Sequence, residues 1–193
     1  MIDIKEIYSL SSAITKNEMR ISAELGEVHP YHLLCGSYFP DKPIVCTQYM
    51  GNTIYDWLST GSALMHLISE RIFNLLVKNE FTGWKTYPVE VYKKNGEAIE
   101  KYFGLSIIGK CGQIDDSRSE EYIKERNTPK GITRTNKLRG YYFDETTWDG
   151  SDFFCPEKTG HIFVTQAVKK IFEEAKITNV VFEKIVEAER DIY

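Results

Sequence analysis

Ser69-Glu70-Arg71-Ile72-Phe73-Asn74-Leu75-Leu76-Val77-Lys78-Asn79-Glu80-Phe81-Thr82-Gly83-Trp84 and Thr165-Gln166-Ala167-Val168-Lys169-Lys170-Ile171-Phe172-Glu173-Glu174-Ala175-Lys176-Ile177-Thr178-Asn179-Val180 carry one pattern, 96 positions apart and aligned without a gap. Ser69 matches Thr165, Ile72 matches Val168, Leu75 and Leu76 match Ile171 and Phe172, Thr82 matches Thr178, Gly83 matches Asn179, and further on Val89 matches Ile185. In each run a hydroxyl residue suited to an N-cap precedes apolar residues at three- and four-residue spacing. A residue tolerant of positive φ and a β-prone segment follow. The second helix puts Val168, Ile171 and Phe172 on one face and Lys169, Lys170, Glu173 and Glu174 on the other, so its apolar face must be covered. The reading is a single α+β domain over residues 1–193. A mixed or antiparallel sheet is covered by helices and built around two helix-turn-strand copies, at 67–92 and 163–188, with a charged insert at 115–139.

Working outward, the first helix is expected to start after Thr60-Gly61-Ser62 with an inward stripe of Leu64, Leu67, Ile68, Ile72, Leu75 and Leu76. Residues 84–92 read as one strand, 93–96 as a turn with Asn95-Gly96, and 102–108 as a neighbouring strand. Upstream, Ile2, Ile4 and Ile7 alternate like a strand, whereas 14–25 has the look of a helix ending at Gly26. Pro30, Gly36, Pro40 and Pro43 break 28–47 into short strands and turns. Between the copies, 115–139 joins an acidic block (Asp115, Asp116, Glu120, Glu121) to a basic one (Lys130, Arg134, Lys137, Arg139), a solvated helix and loop on its charge pattern or else a partner-binding arm. Residues 141–143 read as a short strand, 146–160 as turns, 161–164 as extended and 180–186 as the closing strand.

At 193 residues, with 42% hydrophobic and 13% aromatic residues, the chain can bury a core without covalent staples. Its 24 basic and 28 acidic residues give a net charge of −4, which supplies no global basic field for a nucleic-acid backbone. Apolar runs such as 63–68 are far too short to cross a bilayer, and Asp3, Lys5 and Glu6 interrupt the start, so neither a membrane span nor a signal peptide is expected. Cys35, Cys46, Cys111 and Cys155 are scattered, which favours reduced thiols in a cytoplasm; their even number leaves room for two disulfides.

Three chemistries have candidate residues in this chain. His29, His32 and Cys35, with Cys46 or Cys111 as a fourth ligand, have zinc-compatible atoms but not the spacing of a Cys-x-x-Cys knuckle, and packing or hydrogen bonding is the expectation. Cys155 lies six residues from His161, the composition of a thiol nucleophile and its base, although no Gly-x-Ser-x-Gly elbow occurs. Asp115, Asp116, Asp144, Glu145, Asp149 and Asp152 have no spacing that defines an acid-base pair or a cation site, and carboxylates in turns are usually solvated or capping. No glycine cluster opens either helix, so no phosphate loop is expected. Of the tryptophans, Trp84 is expected to be buried and Trp148, in a polar turn, to reach the surface.

Asp149-Gly150-Ser151-Asp152-Phe153-Phe154, then Gly160-His161-Ile162-Phe163-Val164-Thr165, then Ile177-Thr178-Asn179-Val180-Val181-Phe182 resembles the C-terminal part of bacterial immunity proteins from polymorphic toxin systems. That group has a Ser-Asp-hydrophobic-Phe segment, an extended lead into a helix, and a hydrophobic-Thr-Gly turn before a strand. Asn179 replaces the usual glycine here, while Phe81-Thr82-Gly83 keeps it. Some similar immunity proteins carry two Cys-x-x-Cys-Gly motifs, of which only Cys35-Gly36 and Cys111-Gly112 remain. The resemblance implies a small cytoplasmic protein that binds and blocks a cognate protein toxin and has no catalytic residues; the residues themselves lead to the expectation of no metal, no cofactor and no nucleic-acid or membrane partner. The surface chosen from the residues for that contact is Asp115, Asp116, Glu120, Glu121, Trp148, Asp149 and Asp152, acidic enough to complement a basic toxin. The alternative is a small thiol hydrolase using Cys155 and His161.

Overall fold

The computed structural model describes residues 3–129 and 131–191; Ile2 of the opening alternation and Lys130 of the basic block lie outside the described residues. In chain order the elements are β1 (Ile7–Ser12), β2 (Arg20–Ala23), α1 (Pro30–Leu34), β3 (Ile44–Met50), β4 (Trp57–Ser59), β5 (His66–Ser69), α2 (Glu70–Lys78), β6 (Trp84–Tyr87), β7 (Val89–Tyr92), β8 (Ala98–Ile99) and β9 (Tyr102–Ile107). They continue with β10 (Gly109–Cys111), β11 (Glu120–Thr128), β12 (Gly131–Arg139), β13 (Phe153–Pro156), β14 (Ile162–Thr165), α3 (Gln166–Glu174), β15 (Val180–Lys184) and β16 (Glu189–Asp191). Strand takes 43% and helix 17%, so sheets rather than helices carry this single domain.

Among the described residues the strands form four open sheets, ordered β4-β5-β9-β6, β10-β13-β14-β1-β15, β2-β3-β7-β8 and β11-β12-β16. The first is antiparallel throughout; the second and third each include a parallel pair, β10 with β13 and β3 with β7. A central core takes Ile68, Leu105 and Ile107 from one sheet, Leu10, Ile162 and Val164 from another, and Ile72, Leu76, Val168 and Phe172 from α2 and α3. A second core lies under β2, β3 and β7, and a third gathers Ile7, Phe143, Phe154, Phe163 and Ile185.

Two carboxylates bind the parts together, and they do so in the same way. Asp56 Oδ2 accepts from Thr178 N (3.0 Å) and Thr178 Oγ1 (2.8 Å), and its Oδ1 accepts from Ser69 Oγ (3.1 Å). Asp152 Oδ2 accepts from Thr82 N (2.9 Å) and Thr82 Oγ1 (3.0 Å), and its Oδ1 accepts from Thr165 Oγ1 (3.2 Å). The backbone N–H of each aspartate donates back to the same threonine hydroxyl, at 2.9 and 3.1 Å. Every partner in one set lies 96 positions from its counterpart, and each aspartate holds the turn that follows the other aspartate's helix.

These turns need positive φ, which Glu80 and Gly83 supply after α2 and Lys176 and Asn179 supply after α3. A Cβ on Gly83 would lie 2.0 Å from Phe153 O, so only glycine fits. Asn179, at φ +65°, turns the matching approach into a bond: its Nδ2 donates to Trp57 O and to the buried Glu18 carboxylate, both at 2.9 Å. Asparagine tolerates the left-handed region better than other non-glycine residues.

Several expectations are corrected. The first helix begins at Glu70, not after Ser62, because Leu67 and Ile68 belong to β5 and face different cores. Residues 14–25 hold no helix: Ile14 and Asn17 have positive φ, and β2 follows. The strand expected over 84–92 is split at Pro88 into β6 and β7, which enter separate sheets. Pro30 starts a five-residue helix capped by His29, whose Nδ1 accepts from Tyr31 N at 3.2 Å. The solvated helix and loop of 115–139 is instead a hairpin, β11 and β12 paired over nine residues a strand. Tyr141 and Phe143 are buried but not in a strand.

Candidate functional site

The β11–β12 hairpin lies between the two runs related by the 96-residue spacing and belongs to neither. Among the described residues, Lys137, Leu138 and Arg139 of β12 pair with β16, and the rest of the hairpin extends beyond that pairing. Register puts Glu121, Ile123, Glu125 and Asn127 on one face with their partners Leu138, Asn136, Arg134 and Ile132. Leu138 is buried at the base, while Ile123 and Ile132 are 61% and 62% exposed and the Glu125–Arg134 ion pair (2.7 Å) lies between them. The opposite face is tied down: Lys124 pairs with Glu189, Lys137 with Asp191 (2.6 Å), and Arg139 with Glu120 (3.0 Å) while lying over the Tyr122 ring. The Lys124 hydrogen bond heads the causes that hold the Glu189 carboxyl below its ordinary range.

Of the seven acidic and aromatic residues chosen from the sequence, Asp115, Asp116 and Glu120 gather at the hairpin base. Asp115 caps a 3-10 turn through Ser117 N (3.1 Å), and Asp116 pairs with Arg190, whose guanidinium covers the Tyr141 ring. Glu121 is exposed at the start of β11. Asp149 and Asp152 lie on another loop with their carboxylates bound internally. Asp149 accepts from Lys110 N (2.8 Å) and Ser151 N (3.0 Å), and Asp152 holds the Thr82 turn. Trp148 is half-buried rather than displayed, with Nε1 donating to Ser151 O (3.1 Å) and its ring beside Phe154; Trp84 is half-buried as well. Sequence reasoning missed Asp56, although Asp56-Trp57-Leu58 keeps the 96-residue spacing to Asp152-Phe153-Phe154.

The thiol chemistry is not supported. Cys155 is 6% exposed and burial pushes its thiol well up, followed by the effects of Cys35 and Cys111, the opposite of an activated thiolate. His161 packs its ring on Tyr141 (4.6 Å) and has its pKa lowered by burial and then by Arg190. All four cysteines are free. His32 Nδ1 and Cys35 Sγ both contact Ser37 Oγ, at 2.9 and 3.3 Å, and among the described residues no three of His, Cys, Asp and Glu are placed to hold a metal ion.

With the paired Asp-Thr turns and the Ser-Asp-Phe-Phe segment in place, the chain matches the model of the immunity protein family (Imm11) over residues 16–187. The chain belongs to the Imm11 immunity protein family. No curated protein matches it. The match takes in both aspartates, both threonine turns and the whole hairpin, so these belong to the Imm11 region and not to an appended piece. The Ser-Asp segment behind the resemblance is structural: Ser151 Oγ bonds Asp149 and Phe153 O while Asp152 holds Thr82.

Proposed function

We propose that this Imm11 protein acts in the cytoplasm as the immunity factor of a polymorphic toxin system and neutralises its cognate toxin by direct contact. No catalysis, cofactor, nucleic acid or membrane takes part in that contact. Family membership supports the immunity role; the observation that carries direct contact is the hairpin. The hairpin pairs nine residues a strand, and among the described residues three of β12 are anchored on β16 while six extend past them, with two exposed isoleucines on one face and charged side chains around them. Exposed β-branched residues on an uncovered strand pair suit a partner surface better than open solvent. Asp115, Asp116, Glu120 and Glu121 at its base supply the acidic surround, which speeds encounter with a basic toxin and disfavours other partners, and the loop of Trp148, Asp149 and Asp152 adds a half-buried ring and two internally bonded carboxylates to the same surface.

In this reading the two helix-turn-strand units are copies of one frame, each closed by the other's aspartate, and the frame holds the contact surface rigid. The reading expects a large secreted protein with a toxic C-terminal domain to be encoded beside this gene, and the test is co-expression with that domain. The wild-type protein rescues growth, and Ile123→Asp with Ile132→Asp lowers rescue without changing the melting temperature. No rescue by the wild-type protein refutes the function, and full rescue by the double variant refutes the hairpin as the contact.

A further inference from the structure

The two matching units differ at a groove beside β4. Register places β1 and β9 in equivalent positions, Ile7 opposite Thr165 as Tyr102 is opposite Ser69, so Ser12 corresponds to Ile107. Ser59 and His66 correspond to Cys155 and Ile162 at the 96-residue spacing. Around β13, Ile107, Cys155 and Ile162 share a buried cluster with Leu34 of the chain's own α1, and Ser106 Oγ donates to Leu33 O (2.5 Å). Around β4 the matching residues are Ser12, Ser59 and His66, and they line an open groove of about 470 Å3 that none of the three helices lines. Where one unit has an apolar socket filled by a leucine, the other has a polar socket with its mouth open.

Three further observations point to an occupant. Among the described residues, Ser59 Oγ and His66 Nδ1 are buried in its wall with no hydrogen-bond partner, which folded proteins rarely leave so. Ile14, at the mouth, has φ +50° and is 70% exposed. A β-branched residue in that region is strained, and such strain persists where function needs it. Tyr49, 42% exposed, and Arg20 complete the rim, and tyrosine and arginine are enriched among residues that dominate interfaces. The lining has one guanidinium, several hydroxyls and no carboxylate; Arg20 Nε is 3.9 Å from the buried Glu18 carboxylate, which leaves its terminal nitrogens for another acceptor.

We propose that this groove seats an acidic side chain of the toxin, an aspartate or glutamate delivered by a protruding segment as α1 delivers Leu34 to the matching socket. The carboxylate pairs with Arg20 and accepts from Ser59, while Ile14 and Tyr49 close over its stem. The proposal rests on the toxin-binding reading above and adds a second contact to the hairpin.

The test is calorimetry with the catalytically inactivated C-terminal domain of the neighbouring secreted protein, over a range of salt. Arg20→Ala and Tyr49→Ala are each expected to weaken binding about thirtyfold, the effect of an interface hot spot. Ile14→Gly separates binding from folding: glycine relieves the φ strain, so the melting temperature holds or rises while affinity falls. Arg20→Ala should also flatten the salt dependence, and a salt slope unchanged by it would overturn the acidic occupant. If all three variants bind like wild type while Ile123→Asp with Ile132→Asp does not, the groove is overturned and the proposed function stands. If the wild-type protein fails to bind, both fall.

Discussion

Removing the Asp152 carboxylate should destabilise the fold through a turn seventy residues away in sequence. Asp152→Ala deletes the acceptor for Thr82 N, Thr82 Oγ1 and Thr165 Oγ1, at 2.9, 3.0 and 3.2 Å. A hydrogen bond to an ionised acceptor contributes about 1.5–3 kcal/mol, but Thr82 is exposed and regains water, so about 1 kcal/mol per bond is reasonable. The sum is roughly 3 kcal/mol, and for a chain of this size about 2–4 °C of melting temperature accompanies each kcal/mol, giving a fall of roughly 6–12 °C. Urea unfolding with an unchanged slope is the assay. In a double-mutant cycle with Thr82→Val the two changes should couple by about 1–2 kcal/mol, because the hydroxyl and the carboxylate lose one shared bond. Asp56→Ala should cost more: Asp56 is only 12% exposed in its side chain and also pairs with Arg71 at 2.9 Å. Additivity of Asp152→Ala and Thr82→Val within about 0.5 kcal/mol would refute the capping argument.

Gly83→Ala should cost at least about 3 kcal/mol, or prevent folding, since its Cβ would meet Phe153 O at φ +83°; a melting temperature within 2 °C of wild type, about 1 kcal/mol, would contradict this. His66 has its pKa lowered by burial to about 4, below the ordinary value of about 6.5. The unfolded chain therefore takes up that proton first: the contribution of His66 is complete above about pH 6.5 and is lost as pH falls toward 4, at up to about 1.4 kcal/mol per unit. The difference between wild-type and His66→Leu urea midpoints across that window should show the slope. A thiol reagent should modify Cys35 first in the native protein and all four cysteines in urea, because Cys46, Cys111 and Cys155 are buried; rapid native labelling of Cys155 would reopen its chemistry.

What could be read from the sequence was what neighbours in sequence determine. Ile72 and Leu76, like Val168 and Phe172, are one helical turn apart, and their burial follows from spacing alone. Thr82 and Thr178 stand where local turn chemistry puts a hydroxyl. The partners of those threonines are 70 and 122 positions away, and no local pattern announces them. β5 reads as helix in the sequence because adjacent Leu67 and Ile68 are both fully buried, which happens when a strand separates two cores and imitates a broad helical stripe. The hairpin was missed for the opposite reason. With charged or polar residues on both faces and little core of its own, it has no period-two apolar alternation to detect. The immunity resemblance rested on the Ser-Asp-Phe-Phe and Ile-Thr-Asn segments, which are joints of the frame, so they identified the family without locating its contact surface.

That distinction sets the last prediction. If the frame is two copies of one unit, differences between the copies were free to diverge toward function, and one that places polar atoms inside a socket is Ser59 and His66 against Cys155 and Ile162. Ser59→Cys with His66→Ile restores the apolar version. It removes two buried polar groups without partners, each of which costs about 1–3 kcal/mol when left unsatisfied, and so should stabilise the protein by about 2 kcal/mol, or roughly 4–8 °C. The same change removes hydrogen-bonding atoms from the groove and should weaken the complex with the inactivated toxin domain at least tenfold. A protein that became more stable and bound as before would show that the polar socket is a defect of the fold with no part in recognition. One that lost stability would show that Ser59 and His66 have partners in solution, and the argument from their unsatisfied atoms would fail with it.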